Sequence, residues 1–204
     1  CLWPSAVWSA SPTEVFLGVA VGTILHYDGQ DCTWGDGKLR AYNLWGLSGN
    51  DIYAADMYAS GLYHYNGSVW EDVLAGVDDV TQNAGVFALW GFSTNDVYLS
   101  VEPFQSGQCG GKHGLVAHYN GTAFESISPL DDVWSCTAPR ALWGTSSKSL
   151  FAGFSDSVQY YDGNEWRAME TDGPIAVKKL WGFADNDVFA VGGTGSSDIW
   201  RCTP

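Results

Sequence analysis

Trp45-Gly46-Leu47-Ser48-Gly49-Asn50-Asp51-Ile52-Tyr53, followed by His64-Tyr65-Asn66-Gly67 and then Trp70, forms a unit that recurs along this 204-residue chain. Its first segment returns as Trp8-Ser9, Trp90-Gly91, Trp143-Gly144 and Trp181-Gly182, at periods of roughly 40 to 50 residues. The turn and short strand behind it return as Thr94-Asn95-Asp96-Val97-Tyr98 and Asp185-Asn186-Asp187-Val188-Phe189. Degenerate copies are Pro12-Thr13-Glu14-Val15-Phe16 and Ser147-Lys148-Ser149-Leu150-Phe151, and the acidic residue reads most simply as a turn cap. A third strand end repeats as His26-Tyr27-Asp28-Gly29, His118-Tyr119-Asn120-Gly121 and Tyr160-Tyr161-Asp162-Gly163. There Asn-Gly and Asp-Gly supply the positive φ of a two-residue primed turn. A fourth strand then carries Trp34, Trp70, Phe124 or Trp166.

Four short strands per unit, turn residues at each junction and no sustained helical periodicity describe an antiparallel blade. One blade cannot bury both of its faces, so neighbours must stack around an axis. The expectation is an all-β, single five-bladed β-propeller with blades near residues 6–40, 41–85, 86–138, 139–175 and 176–204 plus 1–5. The fifth copy ends at Asp198-Ile199-Trp200-Arg201-Cys202, which matches a third strand. Cys1-Leu2-Trp3 is expected to complete that blade as its fourth strand. In a two-residue hairpin the tyrosine and serine positions face each other, which sets Cys202 opposite Cys1 and predicts a bridge between them. Closing so long a loop would stabilise by on the order of 3 to 5 kcal/mol. Lipidation of Cys1 is the competing fate.

The composition suits a globular domain, and 9 basic against 23 acidic residues give a formal charge of -14. Such a surface repels nucleic acid and anionic lipid. No apolar run approaches the roughly 20 residues that a membrane-spanning helix needs, so membrane insertion is not expected. The five cysteines, Cys1, Cys32, Cys109, Cys136 and Cys202, lack metal-ligand spacing and read as disulfide partners of an oxidising compartment, extracellular or cell-surface. The odd count leaves one sulfur over. Cys32, near a hairpin tip, is expected as the free or intermolecular thiol.

The Trp-Gly, Asn-Asp-Val-Tyr and His-Tyr-Asp-Gly-x-x-Trp elements resemble the repeats of secreted bacterial propellers of the Asp-box type, over nearly the whole chain. The Ser-x-Asp-x-Gly-x-x-Trp pattern of that type is half met: the upstream serine is absent, and Asn66 and Asn120 replace aspartate. The resemblance implies a propeller fold that serves lectins, adhesins, assembly factors and hydrolases alike, and no catalytic residue carries over.

Long irregular insertions occur only where strand two meets strand three or one blade meets the next, which places them on one face. They are Gly76 to Gly85, Glu102 to Gly114 and Ser128 to Arg140. Long loops on a rigid scaffold are where binding concentrates. Asp78, Asp79, Phe104, Gln105, His113, Asp131, Asp132 and Trp134 are therefore the candidate ligand-binding residues, aromatic rings beside carboxylates and amides suiting a sugar. Burial of Phe104 and Trp134 under their own loops is the plainer alternative. Cys109 and Cys136 fall in two of these insertions and are expected to bridge. Asn66-Gly67-Ser68 and Asn120-Gly121-Thr122 are glycosylation sequons, although a turn would select the same tripeptides.

No metal site or cofactor is expected. His26, His64 and His118 occupy equivalent strand positions in separate blades and cannot converge on one ion. With no nucleophile elbow, phosphate loop or arginine cluster, an enzyme is not expected either. The function that follows is a non-enzymatic extracellular binding module for a glycan or protein surface. The alternatives are a self-assembling subunit of a filament or surface layer, with Cys32 as its link, and a glycoside hydrolase.

Overall fold

The computed structural model describes residues 3–19, 22–35, 37, 39–58, 61–74, 84–103, 114–127, 137–169, 176–193 and 198–202, all strand, turn or coil. Blade one is the antiparallel sheet β1 (Pro4–Ser11), β2 (Glu14–Val19), β3 (Thr23–Tyr27) and β4 (Cys32–Trp34). Blade two holds β5 (Asn43–Ser48), β6 (Asp51–Ala55), β7 (Leu62–Tyr65) and β8 (Trp70–Asp72). Blade three holds β9 (Ala84–Ser93), β10 (Asp96–Pro103), β11 (Leu115–Tyr119) and β12 (Phe124–Ser126). Blade four follows with β13 (Ala141–Ser146), β14 (Ser149–Gly153), β15 (Val158–Tyr161) and β16 (Trp166–Ala168). Blade five has three described strands, β17 (Val177–Ala184), β18 (Asp187–Gly192) and β19 (Asp198–Cys202).

Register explains the repeat. The tryptophan of each first strand pairs with an aromatic residue of the second, and that residue pairs with a polar or aromatic one of the third. The rows are Trp8, Phe16, His26; Trp45, Tyr53, His64; Trp90, Tyr98, His118; Trp143, Phe151, Tyr160; and Trp181, Phe189, Arg201. Paired residues share a sheet face, so each row lies on the front of its blade, toward the next. Alternate residues face backward, and Ile52, Val97, Leu150 and Val188 are completely buried there. Each such side chain contributes about 1.5–3 kcal/mol by leaving water.

The Trp-Gly pair is a joint between blades. A Cβ on Gly46, Gly91 or Gly182 would lie 3.0, 2.6 or 2.7 Å from the indole of Trp8, Trp45 or Trp143 in the preceding blade. Glycine is needed here for close approach rather than for backbone freedom. At the remaining joint the Trp90 indole N–H donates to the Gly144 carbonyl at 3.1 Å. One apolar cluster fills each of the four junctions.

Several expectations are corrected. Tyr65 pairs with Trp70, Tyr119 with Phe124 and Tyr161 with Trp166, so the hairpins carry four-residue loops rather than two-residue turns. The cause is the first loop residue: Oδ1 of Asn66 accepts the Ser68 and Val69 backbone N–H groups at 3.0 and 3.1 Å, and Asp28, Asn120 and Asp162 do the same. Serine therefore does not face tyrosine. In blade one Tyr27 pairs with Cys32, which takes the place of the aromatic residue, while Trp34 pairs with Leu25. Asp51 and Asp96 are not turn caps. Each carboxylate meets a third-strand histidine at 2.8 Å, His64 and His118 respectively.

Cys202 does occupy the tyrosine position, pairing with Val188 as Tyr65 pairs with Ile52. No fourth strand joins β19 among the described residues. Trp3 is exposed and runs directly into the inner strand β1, whereas eight residues separate Trp34 from Asn43 and Ala168 from Val177 where outer strands cross to inner ones. Trp3 thus stands in the crossing segment, where Arg40 stands before β5, and not in an outer strand. Cys1 and Leu2 lie outside the described residues.

Candidate binding face

Two ends of the molecule differ. At one end lie the tight turns Pro12-Thr13, Gly49-Asn50, Thr94-Asn95, Ser147-Lys148 and Asp185-Asn186, together with the four-residue hairpin loops. From the other end β10 leaves and β11 returns, and there β5, β9, β13 and β17 begin. The described stems of the long insertions, at Gly85, Glu102, Gly114 and Arg140, stand at this second end.

Their roots are tied together across blades three and four. Glu102, near the end of β10, accepts the Arg140 guanidinium at 2.9 Å and the Ala138 backbone N–H at 3.1 Å, both through Oε2. The Arg140 guanidinium also lies over the Phe87 ring, 3.9 Å from its centroid. The Ser100 hydroxyl donates to the Pro139 carbonyl. Gly114 rests so close to the Thr137–Ala138 peptide that any Cβ there would collide with it. The stem that follows residues 104–113 therefore touches the stem that follows residues 128–136.

Beside this anchor, the loop between β6 and β7 is organised by Asp56. Its Oδ1 accepts the Tyr58 backbone N–H at 2.7 Å, and its carbonyl accepts the Val86 N–H at 3.2 Å. This sets the exposed Tyr58 ring edge-on against Tyr42, with centroids 5.1 Å apart. Asn43 is held in place by donating to the Phe87 carbonyl at 3.1 Å. A paired aromatic surface next to an amide and a fixed guanidinium is chemistry for recognition: stacking, hydrogen bonding and orientation.

Asp78, Asp79, Phe104, Gln105, His113, Asp131, Asp132 and Trp134 lie outside the described residues, as do Cys109 and Cys136. Cys32 is exposed and Cys202 buried, and both are free thiols in the structure. Burial pushes the Cys202 thiol up. Asn66 and Asn120 stand exposed at hairpin tips on the opposite end from the long loops. Sequence reasoning missed Glu102 with Arg140, and Tyr42 with Tyr58. The first pair carries a signal, opposite charges at the boundaries of two insertions; the second carries none, because neither tyrosine belongs to the repeat.

No family model matches the chain, and no curated protein matches it. Solved structures do. The extracellular domain of the putative hybrid two-component system BT4673 from B. thetaiotaomicron aligns with a TM-score of 0.69 at 16% identity, over 96% of this chain and 26% of that one. YCF48 bound to D1 peptide aligns with a TM-score of 0.68 at 15% identity, over 98% of this chain and 65% of that one. A chain of the mitotic checkpoint complex aligns at 0.66 and 14%, over 98% and 61%. The fold is of the β-propeller type. This chain spans about a quarter of the first of these structures and under two thirds of the other two.

Proposed function

We propose that this chain is a non-enzymatic binding module of an extracellular or cell-surface protein, and that it holds a polypeptide surface on its long-loop face. The observation that carries this is the fixing of Glu102, Arg140, Ala138 and Gly114 at the roots of two insertions, beside the exposed Tyr58–Tyr42 pair. Preorganised roots lower the ordering cost that binding loops otherwise incur. A Cys109–Cys136 bridge would extend the same device outward from the touching stems. Among fold neighbours, one is an extracellular domain and another was solved with a peptide bound, which supports both halves of the proposal.

The test is to expose the immobilised chain to an array of extended peptides, a glycan array and a chromogenic glycoside panel. Peptide binding that Tyr58→Ala weakens by about tenfold, with an unchanged melting temperature, is the expected result, in the range of a recognition hot spot. Binding confined to glycans, or turnover of a glycoside, would overturn it.

A further inference from the structure

The place two residues before each first-strand tryptophan is filled by Ala6, Asn43, Ala88, Ala141 and Lys179 in blades one to five. Ala88 and Ala141 are 4% exposed, as a closed junction demands. Asn43 instead reaches across to the next blade, donating to the Phe87 carbonyl at 3.1 Å. Lys179 is exposed, and blade one stands across from it. Between them lies a cavity of about 560 Å³ that also reaches blade two, a volume in the range of small-molecule sites.

Much of its wall is apolar: Pro4, Val7 and Leu17 of blade one and Leu44 of blade two line it. Val7 is 65% exposed, whereas Leu89, Leu142 and Leu180 at the same place in later blades are 6–7% exposed. The polar lining is Ser5, Tyr42, Asn43 and Lys179. The Ser5 hydroxyl is taken up by the Ala41 carbonyl at 2.7 Å, and the Asn43 amide by Phe87. Lys179 is left over. Among the described residues no carboxylate pairs with it, while Arg140, Arg167 and Arg201 each hold one within 3.0 Å. Nor does any acidic residue line the cavity. In a chain of 23 acidic and 9 basic residues, a cavity that presents an ammonium and no carboxylate reverses the local sign of charge.

We infer that this cavity is a binding site for a small organic monocarboxylate, its apolar body against Val7, Leu17 and Leu44 and its carboxylate on the Lys179 ammonium. The ammonium carries three N–H donors, and a ligand that displaces water from the apolar walls strengthens the ion pair. One charge is what the site neutralises. A phosphate ester would bring a second, uncompensated in a chain of formal charge -14. The site adjoins the proposed peptide surface at Tyr42 but does not depend on it.

Isothermal titration calorimetry of the 204-residue chain with octanoate and phenylacetate tests this, with octanamide, phenylacetamide and phenyl phosphate as comparisons. The carboxylates should bind once per chain, and the amides about tenfold more weakly or worse, since they lack the charge-assisted bond. Lys179→Gln should weaken carboxylate binding by about tenfold, and Lys179→Arg should restore most of it. Lys178→Gln removes an equal charge from a neighbour that does not line the cavity, and should change nothing.

Equal binding of amides and carboxylates would show an apolar groove indifferent to charge, and overturns the inference. Equal weakening by Lys178→Gln and Lys179→Gln would reduce the attraction to diffuse charge, with the same result. So would a preference for phenyl phosphate over phenylacetate. Absence of carboxylate binding overturns it as well, and a lowered melting temperature of Lys179→Gln in that case would make Lys179 a donor across the seam, as Asn43 is at its own junction.

Discussion

Glu102 and Arg140 meet at 2.9 Å across the boundary between blades three and four, and the same carboxylate oxygen takes the Ala138 N–H. One acidic side chain thus fixes two stems that are far apart in sequence. Glu102→Ala should leave the Ala138 N–H without its acceptor and cost about 1–3 kcal/mol in urea unfolding. Glu102→Gln keeps an acceptor and should cost clearly less. Hydrogen exchange at Ala138 is the local check, since a purely global loss would not single it out.

Gly91→Ala and Gly182→Ala each place a methyl group against an indole at 2.6 and 2.7 Å. Overpacking of this kind costs about 1–3 kcal/mol, read as a lower urea midpoint. Ser9→Gly, where no preceding indole packs, should instead cost only the roughly 0.5–1 kcal/mol of a glycine placed in a strand.

Asp28 and Asp162 are held below the ordinary aspartate value of 3.8, chiefly by backbone N–H donors from Asp31 and Gln30 in one loop and from Glu165 and Asn164 in the other. A lowered folded-state value means stability that is present in full above the unfolded value and lost as pH falls through the folded one. The double variant Asp28→Asn, Asp162→Asn keeps the turn, since Asn66 and Asn120 already cap their loops in this way. Its melting temperature should therefore fall less than that of the parent between pH 5 and pH 2, lying below the parent near pH 7 and converging on it at low pH. A larger acid loss in the variant would contradict the assignment.

Asp96 pairs with His118 at 2.8 Å beneath the Tyr98 ring, while Glu125 reaches the other ring nitrogen from a largely exposed position. Asp96→Ala should destabilise by about 1–2 kcal/mol through the lost partner of a half-buried group. Glu125→Ala should stay within about 0.5 kcal/mol, as exposed pairs usually do. Chemical denaturation of the two variants side by side distinguishes them.

Cys32 should react with iodoacetamide in the native chain, and Cys202 should not until the chain unfolds, because it is fully buried and its thiol is pushed up. Alkylation in denaturant without reductant separates a buried thiol, which is then labelled, from a Cys1–Cys202 bridge, which is not.

The blades were legible because each joint needs the same bulky residue followed by a small one, and that need recurs at a fixed spacing. Strand order followed from it. The hairpin register did not: Asn-Gly reads as a two-residue turn, and only the side-chain caps on Ser68 and Val69 reveal the longer loop. From that single difference came the exchange of Trp34 for Cys32 at the aromatic place of blade one. Pairing of Asp51 with His64 was hidden for a related reason, since it depends on which residues stand side by side in neighbouring strands. Of the expected site, the candidate residues of the insertions lie outside the described residues, while Tyr42 and Tyr58 meet through an Asp56-directed loop that the repeat does not encode.

Three of the four described junctions meet tongue to groove, an indole in front and a glycine behind, so a blade of this kind cannot dock front to front with another. Joints of this kind all run in one direction, so inverting a single blade would break two of them at once rather than one.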